Sequence, residues 1–168
     1  MKFRAFSYPV AATLLSGIVA VASAGIVSAE EAPTSANLMP NFKANGMEIH
    51  SITLYKELAD GTPVIAMAFC GVGSTEGSFA LSVDFGQGMI WKAPEMVNVR
   101  FDTYEKAHIM QVMREYLGFE GPAAKATITQ LVASKGELTF SGPRDLSVSF
   151  SLDGAGEELA GLKKLCKI

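Results

Sequence analysis

The chain is 168 residues long, with 14 Lys+Arg against 17 Asp+Glu, a formal charge of −3, 49% hydrophobic residues and two cysteines. That length suits one domain, with or without a processed segment. The apolar fraction excludes a disordered chain, an acidic pI near 5.4 argues against a nucleic-acid phosphate footprint, and two cysteines cannot build a four-thiolate zinc site.

The mean hydropathy of +0.26 has a local cause at the N-terminus. Lys2 and Arg4 form a short basic region, and no further charge occurs before Glu30. The uncharged run between them ends in small residues. Val27-Ser28-Ala29 fits a signal-peptide cleavage site, with Ala22-Ser23-Ala24 as a second candidate. An uncleaved membrane anchor is the alternative, since about 25 uncharged residues can span a bilayer; Pro9 and the small-x-small ends favour cleavage. No cysteine stands near either site for lipidation. Residues 1–29 are therefore expected to be a signal peptide, leaving 139 residues with 12 cations against 17 acids, a charge of −5. No stable membrane span is expected after cleavage. Residues 30–46, with Pro33 and Pro40 and little apolar pattern, read as a flexible leader, and residues 47–168 as a single domain.

Residues 47–55 and 63–70 are strand candidates. Gly71-Val72-Gly73-Ser74-Thr75-Glu76-Gly77 superficially resembles a phosphate loop, but Glu76 replaces the third glycine of G-x-G-x-x-G and there is no P-loop lysine. A hairpin loop is expected there. Period-two alternation is clear in Phe79/Leu81/Val83/Phe85, in Val97/Val99/Phe101 and in Leu146/Val148/Phe150/Leu152, each interleaved mostly with polar or small residues. One apolar and one polar face is the pattern of half-buried antiparallel strands. Gly61, Gly86-Gln87-Gly88 and Ser141-Gly142-Pro143 supply turns, and residues 137–140 form a further strand candidate. Residues 104–119 fit either a helix or a strand, with strand preferred because His108, Met110 and Val112 alternate.

Two segments read as helices. Residues 122–135 start with Pro122, place Ile128, Leu131 and Val132 on one side and stop at Gly136. Residues 157–166 align Leu159, Leu162, Leu165 and Cys166, with Asp153 as a possible cap, Glu157 and Glu158 early, and Lys163, Lys164 and Lys167 late. That charge order suits the helix dipole. In an oxidising compartment Cys70 and Cys166 most simply form one disulfide, closing a loop of about 95 residues. Their wide separation does not fit a C-x-x-C redox pair. The expected fold is mainly β (α+β): an antiparallel β-sandwich with one or two covering helices and one disulfide.

Catalytic signatures are sparse. No G-x-S-x-G nucleophile elbow occurs. His50 and His108 are the only near-neutral acid–base candidates. His50, in the polar part of its strand, is expected to face solvent. Asp84, Asp102 and Glu105 could converge as a carboxylate pair for hydrolysis. His108 and Met110 would project to one strand face, an imidazole–thioether set suited to copper(I), with Met113, Met89 and Met96 nearby in sequence; core packing is the competing role for such methionines. Trp91 is expected in the core rather than as a partner anchor. No catalytic residue and no cofactor is assigned.

The order of the C-terminal half carries a resemblance. Thr127-Ile128-Thr129-Gln130-Leu131-Val132-Ala133-Ser134-Lys135-Gly136-Glu137-Leu138-Thr139-Phe140 reads as a helix ending in Lys-Gly that feeds a strand. Val148-Ser149-Phe150-Ser151-Leu152-Asp153-Gly154 and a Leu-rich helix ending at Cys166 follow. This resembles small exported bacterial proteins of the invasion-associated locus B type. It is also similar to type VI secretion-associated TagO-like proteins, whose Val-Arg-x-Asp strand is matched by Val99-Arg100-Phe101-Asp102. The resemblance covers about half of the mature chain through short motifs. It implies an exported β-rich fold with an accessory or host-interaction role and transfers no catalytic residues. The expected function is thus a periplasmic or secreted, non-enzymatic accessory or binding protein acting through a protein or envelope partner. The alternatives are a periplasmic copper-handling protein using His108 and Met110, and a hydrolase with an unrecognised carboxylate site.

Overall fold

The computed structural model describes residues 33–44, 46–73, 78–86 and 91–168. The expected signal peptide with its cleavage sites, the start of the leader, Ser74–Gly77 of the glycine-rich loop, and the Gln87-Gly88 turn with Met89 lie outside the described residues.

Nine strands and two helices follow in the order β1 (Ser35–Ala44), β2 (Met47–Glu57), β3 (Pro63–Val72), β4 (Ser78–Asp84), β5 (Glu95–Phe101), β6 (Tyr104–Met113), β7 (Tyr116–Glu120), α1 (Pro122–Leu131), β8 (Glu137–Ser141), β9 (Ser147–Ser151) and α2 (Gly156–Cys166). The expected antiparallel β architecture with two helices and a Cys70–Cys166 disulfide is observed. In place of two separate sheets, all nine strands join one antiparallel sheet in the order β1-β2-β3-β4-β7-β6-β5-β8-β9. The sheet curls, so that Leu138 of β8 and Leu131 of α1 border one interstice with Ile52, Leu54, Ala66 and Leu81 of β2, β3 and β4. Near its two ends, the Ser151 N–H donates to Thr34 Oγ1 at 2.8 Å. The core lies between the facing halves.

Alternation decides which residues enter that core. Ile52 and Leu54 on β2 share a face with Val64, Ala66, Ala68 and Cys70 on β3 and with Phe79, Leu81 and Val83 on β4, through pairs such as Ile52↔Ala68 and Ala68↔Leu81. Phe140 and Phe150 meet edge to face at 6.3 Å on the opposite half. Trp91 is buried, edge-on to Phe85 at 5.9 Å, as expected of a core tryptophan.

The segment 35–44 differs from its reading as leader: it forms β1, paired to β2 from Ser35↔Tyr55 onward. Pro40, which cannot donate to a ladder, sits in the register shift between Met39 and Phe42, on an edge strand where that loss is tolerated. Leu38 packs so closely on α2 that a Cβ at Gly161 would stand 2.8 Å from its Cδ2. The sheet therefore begins before residue 47. The ambiguous segment 104–119 resolves into two strands, β6 and β7, joined through Arg114 at φ 63°.

The helices close the curled face. α1 starts with Pro122 in its first turn and ends at Leu131, earlier than Lys135, because Ala133 and Ser134 N–H groups bond to Gln130 and Leu131 carbonyls in tighter turns. α2 has Glu157 and Glu158 in its first turn and Lys163 and Lys164 in its last, as the dipole favours. Asp153 is not its cap. Ala155 occupies that position without a side-chain bond, and the Asp153 N–H instead donates to Ser151 Oγ. No described helix is long and apolar enough to cross a membrane.

Candidate functional site

β6 changes partners along its length. From Tyr104 to Met110 it pairs with β5, whereas only Gln111, Val112 and Met113 pair with β7. β7 meanwhile continues along β4 through Phe119 and Glu120. The two strands diverge, and the fork between them opens as a cleft of about 520 Å³. His108, Ile109, Phe119 and Ala123 line it together with the polar side chains of Lys106, Gln111 and Glu120. Close approach at its root requires Gly118, since a Cβ there would lie 2.5 Å from Met113 Sδ and 3.0 Å from the Leu81 carbonyl oxygen.

His108 is 8% accessible and its ring stacks on Phe119 at 4.0 Å, 15° from parallel. Its Nε2 lies 3.0 Å from Tyr104 Oη, which lies 2.8 Å from Thr127 Oγ1 on α1. Thr127 Oγ1 in turn donates to the Ala123 carbonyl at 3.0 Å. Each of these contacts needs one proton, and a carbonyl can only accept. The single threonine proton is therefore spent on Ala123, the tyrosine proton on Thr127, and Tyr104 Oη accepts from His108 Nε2–H. This chain fixes the neutral tautomer of His108 and leaves Nδ1 with a lone pair. Burial, and secondarily the Lys106 ammonium, hold the imidazole below its ordinary pKa, favouring the neutral ring. Tyr104 is itself held flat against Phe101, with centroids 4.6 Å apart.

The sequence candidates fall in different places. His50 is only 3% accessible, contrary to the expected solvent-facing position. It has the strand parity of Ile52 and Leu54, stands opposite Cys70, and donates from Nδ1 to Asn41 Oδ1 at 2.7 Å. Asn41 is placed for this by the β1 register shift and donates to Glu48 Oε1 at 2.8 Å. Asp84, Asp102 and Glu105 serve three separate local bonds: Asp84 accepts the Gly86 N–H at 2.9 Å, Asp102 the Lys135 N–H at 3.1 Å, and Glu105 the Asn98 amide at 2.8 Å. His108 and Met110 share a parity on β6, but Met110 is fully buried, and the thioether lining the fork cleft is that of Met113. Among the described residues no group of three or more His, Cys, Asp or Glu is placed to hold a metal ion.

Tyr104, Thr127 and Phe119, which complete the His108 environment, carried no chemical signature in the sequence. The one local signal is Tyr104-x-x-x-His108, a spacing that puts both on the same strand face. Met96 on β5 and the cleft-lining Ile109 on β6 stand directly opposite each other, each 65% accessible. Comparison with protein-family models, with curated proteins and with solved structures finds no match for this chain.

Proposed function

We propose that the protein is an exported, non-enzymatic binding or accessory protein that works through a protein or cell-envelope partner. The observation that carries this reading is the Met96–Ile109 pair. Two large apolar side chains stand in direct cross-strand register, each 65% accessible, more exposed than the other large apolar side chains of the described residues, and Ile109 also lines the fork cleft. Exposed apolar clusters beside a cleft are the usual chemistry of a contact surface. The Cys70–Cys166 disulfide supports an oxidising compartment, periplasmic or secreted. The cleft lining contains a histidine but no serine, threonine or cysteine to serve as its nucleophile, which favours binding over acyl-transfer chemistry. The resemblance to locus B-type and TagO-like exported proteins points to the same accessory class.

The test is cross-linked affinity purification from cell-envelope extract with the wild-type protein and with a Met96→Lys, Ile109→Lys variant. A partner retained by the wild type and lost by the variant supports the reading. Equal retention by both, or no partner for either, refutes it.

A further inference from the structure

We propose that the fork cleft is a small-molecule site for a neutral ligand with an apolar body and a single N–H or O–H donor, which it presents to Nδ1 of His108. This goes beyond the partner reading and does not depend on it. The argument rests on where the protons are. The Ala123 carbonyl ends the chain Ala123–Thr127–Tyr104–His108 and forces Nε2 to carry the ring proton, so that Nδ1 is an acceptor only. Nδ1 makes no hydrogen bond among the described residues, yet it is not one of the sealed, unpartnered polar atoms, which are Ser82 Oγ, Trp91 Nε1 and Glu158 Oε2. His108 lines the cleft and is 8% accessible as a residue, so we assign the cleft as the place where a donor reaches Nδ1.

Such an acceptor discriminates. A buried lone pair left without a donor loses its water and gains nothing in return, so a ligand lacking the donor is penalised. The remaining lining fits the body of the ligand: Phe119, Ile109 and Met113 are apolar, and about 520 Å³ is the size of a small-molecule pocket. The charged groups at the cleft are Lys106 on β6 and Glu120 on β7, one of each sign and both exposed, so the site has no excess charge to select an ion. Thr127 of α1 reaches His108 only through Tyr104 of β6, both neutral hydroxyls, while Lys125 of α1 lies over the Phe79 ring instead. Protonation of His108 at acid pH turns Nδ1 into a donor and removes the preference.

Indole and 1-methylindole are the probes, since they differ at the N–H. The purified protein is titrated with each while the amide resonances of residues 106–111 and 119–120 are followed. Saturable shifts with indole, and binding of 1-methylindole weaker by about fivefold, the worth of one neutral hydrogen bond, are expected. Equal affinity for the two, no shift with either, or shifts confined to another surface overturn the proposal. Long-range proton–nitrogen correlation of His108 reads the tautomer directly: a proton on Nε2 is required, and one on Nδ1 overturns the assignment. His108→Phe keeps a ring against Phe119 and removes the acceptor, so the two probes should bind alike. Tyr104→Phe, which leaves the cleft lining untouched, provides the second check. It frees Nε2–H from its lock and should reduce the indole preference, whereas an unchanged preference refutes the positioning role of Tyr104.

Discussion

Removing the disulfide tests how the domain is held closed. Cys70 lies at the inner face of β3, Cys166 in the last turn of α2, and the bond spans 96 positions, most of the folded sequence. The chain-entropy relation for a loop of 96 residues gives about 4–5 kcal/mol at 25 °C, a large part of the roughly 5–15 kcal/mol by which domains are stable. Both cysteines are buried, so alanine is the better replacement; serine would add two buried hydroxyls needing partners. The Cys70→Ala, Cys166→Ala variant is therefore expected to unfold at a urea concentration lower by roughly 2–3 M, taking a urea m-value of about 1.5–2 kcal/mol/M. The structure adds a spatial expectation. α2 packs against β1, β2 and β3 through Leu159 and Leu162, so their amides should lose more hydrogen-exchange protection than those of Phe140 and Phe150. A loss below about 1 kcal/mol would show that the unfolded chain is not restrained by this bond in the way the entropy argument requires.

Three further substitutions probe the site and its supports. Because burial and Lys106 depress the His108 pKa in the fold, the unfolded chain takes up the proton first as pH falls past about 6.5. Stability due to this group is complete above that value and declines as pH drops toward the depressed one. Urea midpoints of wild type and His108→Phe at pH 7.5 and 5.0 should show a steeper fall for the wild type; parallel falls would refute the assignment. Gly118→Ala is expected to cost about 1–3 kcal/mol in urea unfolding. Met113 Sδ can yield, but the Leu81 carbonyl oxygen, 3.0 Å from the added Cβ, is backbone. Ser82, paired with Gly118 across β4 and β7, behaves in the opposite sense. Its hydroxyl is buried without a partner, so Ser82→Ala should be neutral or stabilising by up to about 1 kcal/mol, and a clear loss of stability would reveal a bond to Oγ.

Alternation made β4, β5 and β9 legible because their large inward residues, Phe79/Leu81/Val83, Val97/Val99/Phe101 and Val148/Phe150, each keep one parity, and the dipole-ordered charges did the same for α2. Parity also explains the errors. In β2 the apolar residues change face midway: Met47 and Ile49 have one parity, Ile52 and Leu54 the other. His50, expected to face solvent, belongs to the inward set that begins after this change. β1 hid behind Pro40 and the register shift, which break its pattern at the sheet edge where neither is costly. The division of residues 104–119 into β6 and β7 depended on a turn at Arg114, a non-glycine residue at positive φ that carries no strong turn signature.

The candidate site was less legible for a different reason. A fork exists only because β6 leaves β7 for β5, and that choice rests on β4–β7 and β5–β8 pairings between segments far apart in sequence. Periodicity can place His108 on a face of β6, but it cannot say that Phe119 will lie beneath its ring. Nor can it say that a threonine on α1 will decide which of its nitrogens carries the proton. That dependence has a consequence for the whole arrangement. The acceptor at Nδ1 is specified at the far end of the relay, by the hydrogen bond from Thr127 Oγ1 to the Ala123 carbonyl in the first turns of α1. The side chain that binds is on the sheet, but its hydrogen-bonding character is set by the docking of the helix. A change that lifts α1 from β4 and β7 while leaving the cleft residues intact should thus erase donor selectivity before it erases binding.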